Sequence, residues 1–547
     1  MHSFTSHDGN IGVVLFDPHE DHLDKFYWKR TMSGSESIAE SLAAEVPTWM
    51  HQNAIFICAQ PGHGKTTFIR DVIIEQAVRT GESILLLSSR IANSIQQKRM
   101  IAKQLQNQEL LEDLTERGLQ KHTDFGHVKI CTYQGVPALL KDPGQKDWLR
   151  NVKYVAFDEC QYFAVDSLFN AHAGYTLREL VHTFSNAIRI YMTATPYDVQ
   201  YTIAQAEQRN YDSKEDFVKN QRWFTCNRYI RYYDFGADYS AYKLEFFRDY
   251  NDIISKITEN SKEKWLIFCE SKARGLALQE DLKTKHKIEA AYLDADQKNT
   301  EVWAKLCREE RFDEQVLICT TVLDCGVNVH DKALRHIVLT ADNQTTFIQC
   351  LGRKRLDPHE TVQVHIMDLD MRRCANLRNT VVQKLALLGR YDTMPHSELL
   401  AMLVNEPDST SRSLFYCTKD GKLLKNWTAE YVLQRRKDLY DRLLSGETTL
   451  EKEVQRWLQY SAEVPNEDLA EPINCFYEEH KGCSLDPDAQ DILRNLILRY
   501  AKSVKVKTDR KSREQTLDIS ALNRILEDSG LCYLISPKWV LHRSEEV

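Results

Sequence analysis

At 547 residues the chain is longer than one hydrophobic core organises, so two or three domains are expected. Its make-up, 42% hydrophobic and 27% charged, is that of an ordinary globular protein. No run reaches the roughly 20 apolar residues of a membrane span, and no basic segment leads into a long apolar block at the N-terminus; a cytoplasmic chain without membrane contact is expected. The net charge of −8 excludes a generally basic surface, and the 14 cysteines include no Cys-x-x-Cys pair, which favours reduced, buried thiols over disulfides or an iron–sulfur cluster.

Taken in chain order, short apolar runs alternate with helical stretches: AIFIC (54–58), SILLL (83–87), VKICT (128–132), VKYVAF (152–157) and IRIYM (188–192). That rhythm predicts a parallel sheet wrapped by helices. After a polar stretch it resumes with YIRYYDF, WLIFC (265–269), AAYLD, VLICT (316–320), HIVLT (336–340) and VQVHIM (362–367), predicting a second domain of the same class. The expected layout is an N-terminal extension (1–35), two α/β domains (36–203 and 226–370) joined by a linker (204–225), and a mainly helical region (371–547). In that last region Lys502, Lys505, Lys507, Arg510, Lys511 and Arg513 form a basic cluster, read either as a nucleic-acid contact or as a solvated loop.

Two motifs carry chemistry. The first strand leads into Ala59-Gln60-Pro61-Gly62-His63-Gly64-Lys65-Thr66-Thr67 and then a helical segment, the setting of a phosphate-binding loop. Its glycines let backbone N–H groups approach phosphate oxygens, Lys65 supplies a point charge, and the Thr66 hydroxyl is a ligand for Mg²⁺. Downstream, VKYVAF ends at Asp158-Glu159-Cys160-Gln161. Acids at the C-terminal edge of a strand lie where ligands bind in an open α/β sheet: Asp158 suits the Mg²⁺ shell and Glu159 the general base that orients the attacking water.

With LLLSSR (85–90), CTYQG (131–135), MTATP (192–196), FCESK (268–272), CTTVLDCGVNV (319–329) and QCLGRKR (349–355) following in order, residues 50–370 resemble the superfamily-2 helicases. The resemblance implies two tandem RecA-like P-loop domains that close on ATP and Mg²⁺. It implies a nucleic-acid partner, DNA favoured over RNA, touched by Ser89, Arg90, Thr132, Gln134, Ser271 and Thr320. It also implies a relay through Thr193-Ala194-Thr195 from Gln161 to the second domain, ribose contacts from Gly326 and Asn328, and catalytic roles for Gln349, Arg353 and Arg355. The motif of that last segment places its final arginine at the position of Leu356; Arg355 lies one residue early, and the alternative for it is a surface pair with Asp357. No glutamine motif for adenine precedes the P-loop, and the acidic motif reads Asp-Glu-Cys-Gln, outside the DEAD box in the narrow sense. The other readings are a nucleotide-gated scaffold, or an ATPase subunit of a nuclease or defence complex that docks a protein partner through the helical region.

Overall fold

The computed structural model describes residues 27–543 apart from 33–36, 50–52, 106–115, 210–229, 261, 295–299, 321–327, 341–342, 358, 406–412, 419–420, 460–472, 474–475, 478–479, 504–517 and 529–532, together with 3–4 and 13–14. Residues 505–513 of the basic cluster, and the side chain of Lys502, lie outside the described residues.

The apolar runs become strands buried on both faces, the pattern of a sheet covered by helices on either side. The first sheet has eight strands: β1 (Tyr27–Thr31), β2 (Ala54–Cys58), β3 (Ser83–Ser88), β4 (Asp124–Phe125), β5 (Val128–Thr132), β6 (Val152–Phe157), β7 (Ile188–Thr193) and β8 (Ile230–Asp234). Their order is β1-β8-β2-β7-β6-β3-β5-β4, all pairs parallel except β4 with β5. The second sheet, β9 (Tyr242–Phe247), β10 (Lys264–Phe268), β11 (Ala290–Leu293), β12 (Val316–Cys319), β13 (Leu334–Thr340) and β14 (Val362–Met367), is wholly parallel in the order β9-β14-β13-β10-β12-β11.

One strand departs from the sequence expectation. YIRYYDF, read as the opening of the second domain, supplies β8, which inserts between β1 and β2 of the first sheet. The Tyr232 ring stacks on Phe56 at 5.0 Å, and Tyr233 packs 6.3 Å from Trp49 on the opposite face. A strand apolar on both faces belongs inside a sheet, and its chain position does not say which one. The N-terminal stretch also contributes β1 to this sheet.

Functional loops stand at the C-terminal ends of the strands, and a few helices position them. Helix α1 (Lys65–Phe68) continues through a wider turn, Ile69–Ile74, into Glu75–Thr80. Helices α2 (Ile91–Gln104) and α3 (Gln344–Leu351) follow β3 and β13. In the helical region, α4 (Met371–Thr393), α5 (Trp427–Ser445) and α6 (Leu450–Gln459) pack on both α/β domains. The first half of α5 places Ala429, Tyr431, Val432 and Leu433 in the core of the first domain, and Arg435 lies 3.8 Å over the Tyr197 ring. Its second half and α6 place Leu439, Leu450, Val454 and Trp457 in the core of the second. With 19 residues, α5 spans about 28 Å and so braces both domains. Residues 463–547 form a separate compact unit in which α7 (Pro487–Ser503), α8 (Ile519–Asp528) and the hairpin Tyr533–Ile535/Leu541–Arg543 enclose Tyr477, Leu493, Ile497, Leu522 and Leu526.

The second domain holds a polar cluster within its sheet. His336 stacks on Trp265 at 3.8 Å, its Nδ1 lies 3.0 Å from His365 Nε2, and its Nε2 lies 2.7 Å from Glu263. His365 Nδ1 is 3.2 Å from Glu245, which also pairs with Lys256. Burial first, then His336 and Lys256, push His365 down to about 4, against the pull of Glu245. The unfolded chain therefore binds the extra proton between about 6.5 and about 4, and this contribution to stability is lost as pH falls through that window. The loss is expected to reach up to about 3 kcal/mol. Melting curves should show a smaller drop between pH 7 and pH 5 for His365→Gln than for the wild type, and equal drops would refute the assignment.

Candidate functional site

The P-loop follows β2. Gly62 and Gly64 both adopt φ of 87°, a left-handed conformation that side chains rarely take and that turns the chain back toward the start of α1. Lys65 is buried inside this turn, its Nζ donating to the carbonyls of Ala59 (2.7 Å) and Gln60 (3.1 Å). Burial lowers its affinity for the proton, opposed by Glu159 and Asp158. Thr66 is partly buried and Thr67 exposed at the head of α1, while the His63 ring lies 5.7 Å from Phe235.

Asp158 and Glu159 leave the end of β6 in different directions. Asp158 is buried, its N–H donating to Leu87 and its carbonyl accepting from the Tyr133 hydroxyl at 2.7 Å. Burial first, then Glu159, push its carboxyl up to about 7 against Lys65 and Gln97. Glu159 sits at φ 52°, a conformation costly for a residue with a side chain, on the order of 1–3 kcal/mol. Flanking bonds hold it there: Cys160 N–H to Met192 at 2.9 Å and Tyr162 N–H to Glu159 at 3.1 Å. The buried Asp158 and the partly buried Glu159 both act on the buried Lys65, and Glu159 also acts on Arg355. Carboxylate oxygens of this motif, with the hydroxyl of Thr66 at the head of α1, are the oxygen donors a hard divalent cation takes.

From Glu159 a line of hydrogen bonds crosses the cleft. Gln161 Nε2 donates to Glu159 Oε2 at 2.5 Å, and Thr193 Oγ1 donates to Gln161 Oε1 at 2.8 Å. Thr195 N–H donates to Thr193 Oγ1 at 2.9 Å, Gln349 Nε2 reaches Thr195 Oγ1 at 3.4 Å, and Arg353 Nη2 donates to Gln349 Oε1 at 3.0 Å. The line thus joins the acidic motif, the segment after β7, and α3 of the second domain. Three contacts that the sequence did not reveal tighten the same seam. Thr345 Oγ1 donates to Asp198 at 2.5 Å, Asp238 N–H donates to Gln60 Oε1 at 2.9 Å, and Gly352 approaches Pro61 so closely that a Cβ there would lie 2.6 Å from the proline Cγ.

Arg353 is buried and holds Gln349 at two points, donating from Nε to its carbonyl at 3.2 Å as well. The Arg355 guanidinium instead turns to the P-loop, with Nη1 3.2 Å from where a Cβ on Gly62 would stand. Burial, then Arg353, depress its proton affinity, while Glu159 and Glu310 raise it. Asp357 pairs with His330 at 3.1 Å and Lys332 at 3.2 Å, so the surface partner considered for Arg355 is engaged elsewhere.

The remaining sequence candidates flank the same strand ends. Arg90 forms a two-pronged ion pair with Asp166, at 2.9 and 3.1 Å. Thr132 and Ser271 cap the turns that follow them, accepting from Gly135 and Arg274. Ser89 is buried, Gln134 exposed, and Thr320 and Asn328 partly buried; Gly326 lies outside the described residues. Gln97, on the face of α2 that meets Asp158, escaped the sequence reading because nothing in its local pattern marks it.

The model of the DEAD/DEAH box helicase family matches residues 43–202, and that of the helicase conserved C-terminal domain matches residues 247–355. No curated protein sequence matches the chain. Among solved structures it is similar to a Dbp5 variant from S. cerevisiae bound to RNA and ADP BeF3, with 16% identity, 57% of this chain and 79% of that one covered, and a TM-score of 0.39. It is likewise similar to the helicase Lhr of Mycobacterium smegmatis bound to ssDNA and AMP-PNP, with 16% identity, 65% of this chain, 48% of that one, and a TM-score of 0.42.

Proposed function

We infer that this chain, an ATP-hydrolysing superfamily-2 helicase by its two matched domains, couples ATP turnover to movement on, or remodelling of, a nucleic-acid strand. The observation that carries the coupling is the line of hydrogen bonds from Glu159 through Gln161, Thr193, Thr195 and Gln349 to Arg353. A shift of the second domain breaks that line and releases Gln161, and with it the orientation of Glu159.

The residues divide the work by chemistry. Backbone N–H groups from Gly62 to Thr66 and the Lys65 ammonium bind the phosphates, and Thr66 and Asp158 would hold Mg²⁺, which would neutralise phosphate charge. Glu159 orients and deprotonates the attacking water. Arg355 supplies charge from the second domain, and Gly326 and Asn328 stand for the ribose. Ser89, Thr132, Ser271 and Thr320 stand at or just after the ends of β3, β5, β10 and β12, with Arg90 and Gln134 next in the chain, and such hydroxyls, amides and charge suit a sugar-phosphate backbone.

The test is the ATPase rate against single- and double-stranded DNA and RNA. At least one of the four is expected to raise the rate about tenfold or more, DNA being the expectation from the sequence. A rate indifferent to all four would replace the motor by a switch gated by a protein partner.

A further inference from the structure

We infer that Gln97 is a positioning residue for the metal side of this ATP site, orienting the Asp158 carboxylate and accepting a hydrogen bond from a water of the cation's shell. The inference rests on the reading of Asp158 as a metal-holding residue.

Gln97 lies on α2, 5% exposed, far along the chain from either motif. Its Nε2 donates to Asp158 Oδ2 at 2.6 Å, while its Oε1 is buried and, among the described residues, has no hydrogen-bond partner. The Tyr133 hydroxyl fixes the Asp158 main chain at the carbonyl, so it is the Gln97 amide that grips the side chain. A carboxylate held through one oxygen cannot rotate freely, and its second oxygen stays available to a cation or its waters. A buried amide oxygen left without a donor is unfavourable, and buried polar groups are normally satisfied. Beside a carboxylate that serves a hydrated divalent ion, the missing donors are the ion's waters, since Mg²⁺ retains several of them when bound. Outer groups of this kind set metal affinity through the ligand they orient.

The prediction separates metal from nucleotide. Gln97→Met keeps length and volume but removes both ends of the amide. With EDTA present, a fluorescent ADP analogue should bind the variant and the wild type within about twofold. With Mg²⁺ titrated in, the half-saturating concentration should rise by about tenfold or more. Mn²⁺ binding followed by paramagnetic resonance in the presence of ADP should weaken in step. An unchanged Mg²⁺ requirement would overturn the inference. So would an affinity lost equally with and without metal, because that is what a packing role produces. Should Gln97→Met fail to melt cooperatively, Gln97→Asn, whose amide is one methylene short, is held to the same criteria. Asp158→Asn in the same titration keeps the two readings apart. If it leaves the Mg²⁺ requirement at the wild-type value, the reading of the ATP site fails. If it shifts the requirement while Gln97→Met does not, only the role of Gln97 fails.

Discussion

Replacing Arg355 with alanine is expected to lower nucleic-acid-stimulated ATP turnover by at least about a hundredfold, with nucleotide affinity changing less than about threefold. The guanidinium turns to the P-loop at Gly62 and approaches it from the other domain. Charge placed there acts mainly on the transition state, where phosphoryl transfer spreads negative charge over the γ-phosphoryl oxygens, and such an arginine is worth on the order of 10³ to 10⁵ in rate. Arg353→Ala is expected to reach a comparable loss by another route. Its side chain is buried against Gln349, so removing it breaks the line of hydrogen bonds back to Glu159. Single-turnover rates and analogue affinities for the two variants distinguish the routes. Wild-type turnover in Arg355→Ala alongside an inactive Arg353→Ala would remove the charge-supplying role from Arg355, and full activity in both would refute an ATP site shared between the domains.

The spacing of the last motif puts Leu356 where its second arginine belongs, and the backbone explains why Arg355 still reaches the loop. Helix α3 ends at Leu351, and Val329 then pairs with the chain on both sides of Lys354. Its N–H donates to Arg353 O at 2.7 Å and its carbonyl accepts from Arg355 N–H at 2.9 Å. Side chains on an extended segment alternate in direction, so Arg353 and Arg355 share one face. Lys354 takes the other, where it donates to Asp331 O at 2.7 Å and pairs with Glu360 at 2.9 Å. The pattern along the chain states which residues are present, whereas direction comes from a pairing with Val329 that no local motif records. The strands show the same division. Ala54–Cys58, Val128–Thr132, Val152–Phe157 and Val362–Met367 coincide with the apolar runs, because a parallel strand covered by helices on both faces is largely apolar. Sheet membership was not legible for Ile230–Asp234, since a parallel sheet accepts strands from distant points of the chain. Gln97 and the Asp198–Thr345 contact stayed hidden for the same reason: each is defined by a partner far away in sequence.

Glu159→Gln is expected to hold nucleotide as the wild type does while turnover falls by about 10² to 10⁴, the range associated with a positioned general base. Lys65→Ala, by contrast, is expected to lose both, since on the proposed reading its ammonium would contact phosphate before and during the reaction. The acid is separated from its neighbour by its backbone: φ of 52° turns Glu159 out of the line of β6, so Asp158 stays buried and Glu159 meets Gln161. The substitution keeps the shape of the side chain and removes its charge and its basicity. The amide also adds a donor opposite Gln161 Nε2, which now donates to Glu159 Oε2, so one of the two amides must present its oxygen to the other. The line across the cleft can therefore persist in the variant while the chemistry stops. That combination predicts a trapped state: with ATP present, Glu159→Gln should bind the stimulating nucleic acid more tightly than the wild type, because the closed, ATP-bound form no longer decays. Fluorescence anisotropy of a labelled strand, with and without ATP, measures it. Wild-type turnover in the variant would assign the base to another residue. Lost turnover with no ATP-dependent gain in strand affinity would instead leave Glu159 as the base and remove the coupling that the hydrogen-bonded line to Arg353 is proposed to carry.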